Sequence, residues 1–520
     1  MPVRVRCGAA ALALSFVLAG CRAAAPPART TPAPSPPEKP APAPPPAKEA
    51  APEEGGDGTF ALEEPFTSLV AGRLATSSDR ILRALAFHGL TRFDASGRVE
   101  GELAVKWEMT ADGSEWVFHL RPETAFTNGR YLEARHVVAS WEKLVLAAES
   151  NDAWLLEAVE GFDDARAGKA PHLAGLILED GLTLRVRLRY PLRDFPARLT
   201  HPALGISAFG EDEEGCGYYQ IWGAPKSTVV VLRSNPEYFR GLPHLNEIAF
   251  VRGPAAAPEK IGTGTLDTAV LPPGEKELSD SRAKIFTLAD GRTYVLGLNR
   301  SAPSLSGSET SARLVASLDR EAMVREVAGP SGSLPATLLD NRQAGGRKES
   351  AAPATAVPTG LGKIDLVYAD GDPWAGLLAG KIAARLQKAG ARPATHPTHA
   401  ADLPGVLARK EYHLYILSTL ALSPDPRLRL EEMIRQNRSI PATLLTQLRD
   451  LGKEAEPSRI TAGLSALEES VRSGAYLVPL GQVPRRFLVA KGICGLHPDP
   501  QLALDWTRIW KSRHPQGDCD

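Results

Sequence analysis

The chain has 520 residues, enough at about 150 per domain for two to four domains and a sizeable core, which excludes a coiled coil or a disulfide-stapled miniprotein. Sixty basic against 61 acidic residues leave a formal net charge of −1, so bulk electrostatics recruit neither nucleic acid nor an anionic membrane. Apolar residues make up 43%, and no uninterrupted apolar run of about 18 residues occurs, which argues against a polytopic membrane protein.

At the N-terminus, Arg4 and Arg6 precede an apolar stretch, Ala9 to Leu18, of signal-peptide rather than membrane-spanning length. It runs into Leu18-Ala19-Gly20-Cys21, which looks like a bacterial lipobox: small residues fit a signal peptidase, and the Cys21 thiol accepts a diacylglycerol. The expected processing removes residues 1–20 and leaves a lipid-anchored Cys21 outside the cytoplasm, with the chain tied to a membrane through its acyl chains, palmitate among them. Residues 22–57 contain twelve Pro and ten Ala and have no apolar pattern to offset the ordering of a backbone, so 21–57 reads as a tether. A stalk of defined length and a spacer without a length requirement are both compatible with this composition.

Of the remaining cysteines, Cys494 and Cys519 lie in one terminal segment and are the expected disulfide, with Cys216 left over. No CxxC and no metal-spaced Cys/His set occurs, so no metal and no cofactor are expected. Beyond residue 58 the patterning is mixed α and β. Trp116, Phe118 and Leu120 alternate with Glu115, Val117 and His119 after Asp112-Gly113, as in a strand leaving a hairpin. Val137, Trp141, Leu144 and Val145 follow at helical spacing. A second hairpin turns at Asp180-Gly181, with Leu182, Leu184, Val186 and Leu188 on one face and Arg185, Arg187 and Arg189 on the other. That arginine row reads either as an anion site or, more simply, as a solvated sheet face.

Strands are expected at Thr228 to Arg233 and Thr293 to Leu298, then a helix marked by Leu314, Leu318 and Ala322 with Asp319, Arg320 and Glu321 on its wet side. Residues 341–360 read as loop. Ile364 to Ala369 is a buried strand, followed by a helix with Leu378, Ile382 and Leu386 that stops at Gly390, and Tyr412 to Leu417 is the next strand. Thr-His-Pro-Thr-His around His396 and His399 reads as a polar loop, and the acidic run Glu211 to Glu214 as a solvated turn. No GxSxG, HExxH, Walker loop or GxGxxG before a helix is present, and no catalytic residues are assigned.

Several blocks in order carry a resemblance. They are Gly89-Leu90-Thr91-Arg92-Phe93-Asp94, Trp107-Glu108, Phe118-His119-Leu120-Arg121, Phe126-Thr127-Asn128-Gly129 and His136 to Glu142; Asn235-Pro236-Glu237-Tyr238-Phe239 with Pro243 to Ile248; and Leu296-Gly297-Leu298-Asn299 with Ala312 to Glu321. Together they resemble extracellular solute-binding protein family 5, the peptide/nickel-type binding lipoproteins of ABC importers, over residues 58–510. The resemblance implies an α/β, two-lobed periplasmic-binding-protein fold, type II-like, with an extra small inserted domain. The first lobe would take 58–87, 206–300 and 480–520, the inserted domain 88–205, and the second lobe 301–479.

It implies a non-enzymatic monomer in the cell envelope, facing the periplasm or cell exterior, that captures a peptide-like or other small solute in a hinged interlobe cleft and offers it to the transmembrane subunits of an ABC permease. The alternative is a diverged homologue acting as an envelope sensor or scaffold. Candidate cleft residues carried over from the resemblance are Ser77, Tyr219, Trp222, Trp374, Thr419, Leu422 and Asp425. Leu422 stands where peptide-binding relatives carry an Asp that receives the peptide ammonium, and either Asp425 replaces that carboxylate or free peptide N-termini are not taken. A lining of aromatic, apolar and hydroxyl groups favours a neutral or hydrophobic solute, although Trp222 and Trp374 also fit as packing residues.

Overall fold

The computed structural model describes residues 52–208, 214–226, 228–271, 283–339, 358, 360–419, 423–499 and 501–512. Contacts divide the chain after Lys48, and the unit 49–520 holds every element below. β1 (Asp57–Ala61) begins at the last residue of the expected tether. Helix α1 (Ser77–Ala86) starts on a reciprocal cap, in which Asp79 N–H donates to Thr76 Oγ1 and Thr76 N–H donates to Asp79 Oδ2, each at 3.1 Å.

The next stretch builds a small sheet of its own. A short hairpin, β2 (Thr91–Phe93) and β3 (Val99–Gly101), precedes β4 (Ala104–Met109), β5 (Glu115–Leu120), helix α2 (Ala134–Leu146), a short α3 (Phe162–Arg166), β6 (Leu176–Leu178), β7 (Thr183–Arg187) and α4 (Phe195–Arg198). Four strands pair in the order β4-β5-β7-β6. The period-2 alternation read from the sequence holds, because one face is dry: Trp116, Phe118, Leu120, Leu184 and Val186 share a core with Trp141 of α2 and with Phe195. On the wet face Arg185 and Arg187 donate to Glu115 at 3.0 and 2.9 Å, and Arg185 donates to Glu179 at 2.6 Å. The arginine row is thus a set of cross-strand ion pairs on a solvated face.

The larger sheet has ten strands. β8 (Tyr219–Lys226), β9 (Val229–Ser234), β10 (Glu247–Val251) and β11 (Thr268–Val270) gather with β1 around Phe60, Phe250 and Trp506, while α5 (Glu259–Gly262) packs Ile261 into a smaller cluster with Leu266 and Leu271. β12 (Ala283–Leu298) leads to α6 (Ser308–Ser317), α7 (Arg320–Ala328), β13 (Lys363–Ala369), α8 (Pro373–Lys388), β14 (Arg392–Thr398), α9 (Leu403–Arg409), β15 (Leu414–Ser418), α10 (Pro426–Gln436), α11 (Ala442–Leu451) and α12 (Pro457–Ser473), and the chain returns as β16 (Leu477–Ala490). The strand order is β14-β13-β15-β12-β16-β11-β1-β10-β9-β8.

β12 and β16 run antiparallel through the middle of this sheet and serve both lobes. Ala283–Leu288 pairs with Arg485–Ala490 on the side of β1, and Arg292–Gly297 pairs with Leu477–Val483 on the side of β13 and β15. Between them the register slips, at Leu288/Arg292 and again at Tyr294/Val295. Such bulges bend and twist a strand locally, so the two lobes meet along a kinked ribbon.

Three expectations change. The strand read at Thr293 to Leu298 is the second half of a 16-residue strand, because Asp290-Gly291 reads as a turn yet falls within the slipped register. The single helix expected through Leu314 and Ala322 is two, α6 and α7. Asp319 breaks it at φ 44° and caps the second, its Oδ1 accepting from Ala322 N–H at 3.3 Å. His396 lies on edge strand β14 rather than in a loop, its Nε2 2.8 Å from Asp365 Oδ1; Pro397 is tolerated because the strand is an edge. Most of 341–360 and of the run 211–214 lies outside the described residues, as does Cys519. Cys494 is disulfide-bonded, and Cys216 is a buried free thiol that burial pushes up to about 12.

Candidate functional site

A cavity of about 450 Å³ opens where three parts of the chain meet, within the range of small-molecule sites. Glu64, Thr76, Ser77 and Arg80 come from the segment after β1 and the start of α1; Asp152, Trp154, Glu157 and Phe162 come from the stretch between α2 and α3. The second lobe contributes Asp372, Leu403, Ile416, Glu432 and Arg435, from the start of α8, α9, β15 and α10. The helices deliver their ends or one face to the cavity because each is capped or clamped beside it. Asp372, for example, accepts the N–H groups of Trp374 and Ala375 at 3.1 Å each and so fixes the first turn of α8.

Most enclosed charges of the lining are satisfied within the protein. Glu64 accepts from Ser77 N–H and Ser77 Oγ, both at 2.7 Å. Asp372 accepts from Tyr294 at 2.8 Å and from Arg292 at 3.2 Å. Arg166 is committed to main-chain carbonyls, among them Val145 at 3.1 Å and Ala148 at 2.9 Å. Glu157 accepts from Arg449 at 2.5 Å and from Arg435, and Arg435 also donates to Glu431 at 2.7 Å. Just behind the lining, Arg198 donates to Glu431 at 2.5 Å and Arg427 pairs with Asp194. These pairs join the 88–205 region to α10 and α11, so the cavity is roofed by ionic contacts as well as by apolar packing of Leu428 into the small-sheet core.

Two carboxylates stand apart. Asp152 and Glu432 are 5% and 4% exposed, and neither Asp152 Oδ2 nor either Glu432 oxygen has a hydrogen-bond partner. Burial raises the Asp152 carboxyl, an effect only partly offset by Arg80 and Arg83. Burial likewise pushes Glu432 up to about 7, against the pull of Arg80 and with a further push from Asp152.

Of the residues carried over from the sequence, Ser77 lines the cavity. The other described ones lie elsewhere. Tyr219 is fully enclosed in the core around Phe60, its hydroxyl donating to the Trp506 carbonyl at 3.4 Å. Trp222 is 50% exposed, with the Arg233 guanidinium 3.6 Å above its ring. Trp374 packs half-buried against the second-lobe core, which is the packing role open to both tryptophans. Thr419 is buried at the end of β15, where its hydroxyl donates to the Thr293 carbonyl at 3.2 Å. Asp425 is spent on capping α10, accepting from Leu428 N–H at 2.8 Å. Leu422 lies outside the described residues.

The lining also differs in chemistry from the apolar set expected. Ten of its residues are charged, against two aromatic rings, Trp154 and Phe162, with aliphatic side chains such as Leu74, Leu403 and Ile416 making up much of the rest, so a solute meets charged and apolar groups side by side. Sequence reasoning missed Arg80, Asp152 and Glu432. Each is a single charged residue in an ordinary context, far from the others along the chain, and only folding makes them neighbours.

Comparison with known proteins assigns the chain. The family model described as "Bacterial extracellular solute-binding proteins, family 5 Middle" matches residues 98–437. The periplasmic oligopeptide-binding protein OppA of Haemophilus influenzae is 25% identical over 264 residues, 46% of this chain and 49% of that protein. The periplasmic murein peptide-binding protein MppA of Escherichia coli is 24% identical over 295 residues, 53% of this chain and 54% of that protein. The matches thus span about half the length of these relatives or less.

Structural likeness extends further. The structure of the Escherichia coli murein tripeptide binding protein MppA superposes with a TM-score of 0.76 at 18% identity, covering 89% of this chain and 99% of that one. The binding protein AgaA of Agrobacterium tumefaciens, solved with agropinic acid, gives 0.74 at 16%, covering 88% and 99%. At such identities the likeness speaks for the fold, which is the two-lobed, type II-like binding-protein architecture. By the extent of the family match and by this fold, the chain belongs to the bacterial extracellular solute-binding proteins of family 5.

Proposed function

We propose that this protein captures a peptide-like or other small solute in the cavity between its lobes and offers it to the transmembrane subunits of an ABC importer. The observation that carries the reading is the cavity itself, walled by the α1 segment, the 88–205 region and the second lobe, in a member of a solute-binding family. Relatives with peptide-binding names support the peptide-like class. The kinked β12–β16 ribbon is the natural place for a hinge, since closure needs a few residues that absorb the backbone change. The proposed division, a first lobe of 58–87, 206–300 and 480–520, an inserted domain of 88–205 and a second lobe of 301–479, lies on the second-lobe side of the Leu288/Arg292 slip, just past the end of β12 and within β16.

Mass spectrometry of small molecules released from the purified folded protein is expected to find a bound solute, and its re-addition to the emptied protein should give a more compact particle in small-angle scattering. An unchanged scattering profile with saturating solute would remove the hinged-cleft reading.

The proposed protein is a lipoprotein anchored at Cys21 on the outer side of a membrane, working as a monomer at the end of a Pro- and Ala-rich tether. Two or three acyl chains bury enough methylenes, at about 0.8 kcal/mol each, to hold it stably. Cys21→Ser should move the protein from the membrane fraction to the soluble fraction without acyl chains; membrane fractionation unchanged by the substitution speaks against the anchor.

A further inference from the structure

The two carboxylates left without donors in an otherwise satisfied lining point to what the solute must bring. We infer that Asp152 and Glu432 form a cation subsite, which takes an ammonium or guanidinium group of a peptide-like solute through carboxylates other than Asp425, which caps α10. This rests on the proposed solute-binding role and specifies the chemistry of the same cavity.

The geometry supports it in three ways. Both side chains line the cavity and both are more than nine-tenths buried. Three of their four oxygens have no hydrogen-bond partner, an arrangement that native interiors avoid unless a water, ion or ligand completes it. The lining's other buried acid, Asp372, is fully engaged with Tyr294, Arg292 and the first turn of α8, so the deficit of donors is confined to this pair.

The groups facing Glu432 are Arg80 from α1, 3.6 Å away, His201 from the segment after α4, 3.5 Å away, Asp152, the main chain of Ser423, and Arg429 on its own helix. His201 supplies no charge, because burial, with Arg80 and Arg83 nearby, holds its imidazole well below its ordinary range. Arg83 donates to the carbonyls of Leu69, Pro202 and Gly205 at 2.7, 3.0 and 3.1 Å. Arg80 is therefore the single guanidinium at ion-pair distance from Glu432 among the described residues, and it is shared with Asp152. An incoming ammonium carries three donors and a full charge, which is what two such carboxylates lack.

The pH dependence follows. With no solute, Glu432 holds its proton up to about pH 7; a cation favours the ionised acid, so its arrival expels that proton. Affinity for a cationic solute should rise by about 25-fold from pH 5.5 to 7.5.

The test is calorimetry on the full chain with two matched libraries of di- to tetrapeptides, one with free amines and one with every amine acetylated. Saturable binding of the free library, at least tenfold weaker binding of the acetylated one, and a tenfold or greater loss for Asp152→Asn and Glu432→Gln support the subsite. Glu432→Gln should also abolish the rise with pH. Both variants are isosteric, and at pH 8 Glu432→Gln should melt no lower than the parent because it removes a buried acid that lacks donors. Equal binding of both libraries overturns the subsite and leaves solute capture standing. Amine discrimination that persists at full strength in both variants places the anchor elsewhere and overturns it too. Binding of neither library overturns the subsite together with the peptide-like solute.

Discussion

Glu431→Ala should lower the free energy of unfolding by about 3–5 kcal/mol, the cost typical of removing one member of a buried ionic network. Glu431 and Arg198 are both enclosed, and Glu431 accepts from Arg198 at 2.5 Å and from Arg435 at 2.7 Å, with Arg427 3.7 Å away. Deleting the carboxylate strands the Arg198 guanidinium in a nearly dry site, beside Trp154. Arg427 and Arg435 keep Asp194 and Glu157, so the loss centres on Arg198. Arg198→Met combined with Glu431→Leu should therefore cost less than the sum of the two single changes, since the pair is replaced by apolar groups of similar size. Urea unfolding of the parent, Glu431→Ala, Glu431→Leu, Arg198→Met and the double variant measures this; a loss below 1 kcal/mol for Glu431→Ala would show that the network carries little of the stability.

The same carboxylate gives an acid signature. Burial alone would raise it, but Arg198, Arg435 and Arg427 outweigh burial and hold it at about 2. A folded-state value below the unfolded one means stability that is fully present above the unfolded range, near 4.5, and lost as the pH falls toward about 2. That loss is on the order of 3 kcal/mol, and Glu431→Gln should flatten the stability profile over this interval.

Arg292→Leu is the second large effect, also about 3–5 kcal/mol, and it strikes the kink in β12. Its guanidinium lies 3.1 Å from Glu63 Oε2, 3.2 Å from Asp372 Oδ2 and 3.6 Å from Glu64 Oε1, and it donates to the Tyr294 hydroxyl at 3.2 Å. One side chain thus ties the segment after β1 to the cap of α8 across the register slip. Removing it leaves three acids with fewer donors; Arg485, which donates to Glu63 Oε1 at 3.0 Å, rescues only Glu63. Arg485→Leu should cost less, because Glu63 then keeps Arg292. Burial by itself raises the Glu63 carboxyl, and Arg485 with Arg292 brings it below its ordinary value, so Arg292→Leu should also weaken the acid dependence contributed by Glu63. Chemical denaturation of both variants is the measurement, and equal losses would contradict the assigned geometry.

The parts of the fold that can be read in the sequence are those with one wet face. Trp116, Phe118 and Leu120 alternate with the less buried Glu115, Val117 and His119, and Leu184 and Val186 with Arg185 and Arg187, because water lies on the other side of the small sheet. Where both sides are buried the pattern disappears. In α10 every residue from Arg427 to Ile434 is buried, charges included, so Arg-Leu-Arg-Leu-Glu-Glu shows no helical stripe. The candidate site was harder still. Aromatic residues such as Tyr219 and Trp374 attract notice in a sequence, but large rings are what cores consume first, and both went to packing. Asp152 and Glu432 drew attention because they are buried and short of hydrogen-bond donors, and a shortage of donors is a property of the folded neighbourhood that no local motif encodes.

The path of β16 bears on how the molecule is made. In the ten-stranded order, β16 is the one strand between β12 and β11 among the described residues. A chain ending before Leu477 would leave two unjoined pieces, β14-β13-β15-β12 and β11-β1-β10-β9-β8, each with a bare edge of hydrogen-bonding groups facing the gap. The strand that closes this gap is synthesised long after β1, once β2 to β15 have been made. Residues of the first lobe must therefore wait for that whole stretch before their sheet is complete. N-terminal segments of multidomain chains ordinarily settle as they emerge; here the topology defers that step until β16 is available. A nascent or truncated chain is correspondingly exposed to edge-to-edge aggregation in a way the finished protein is not.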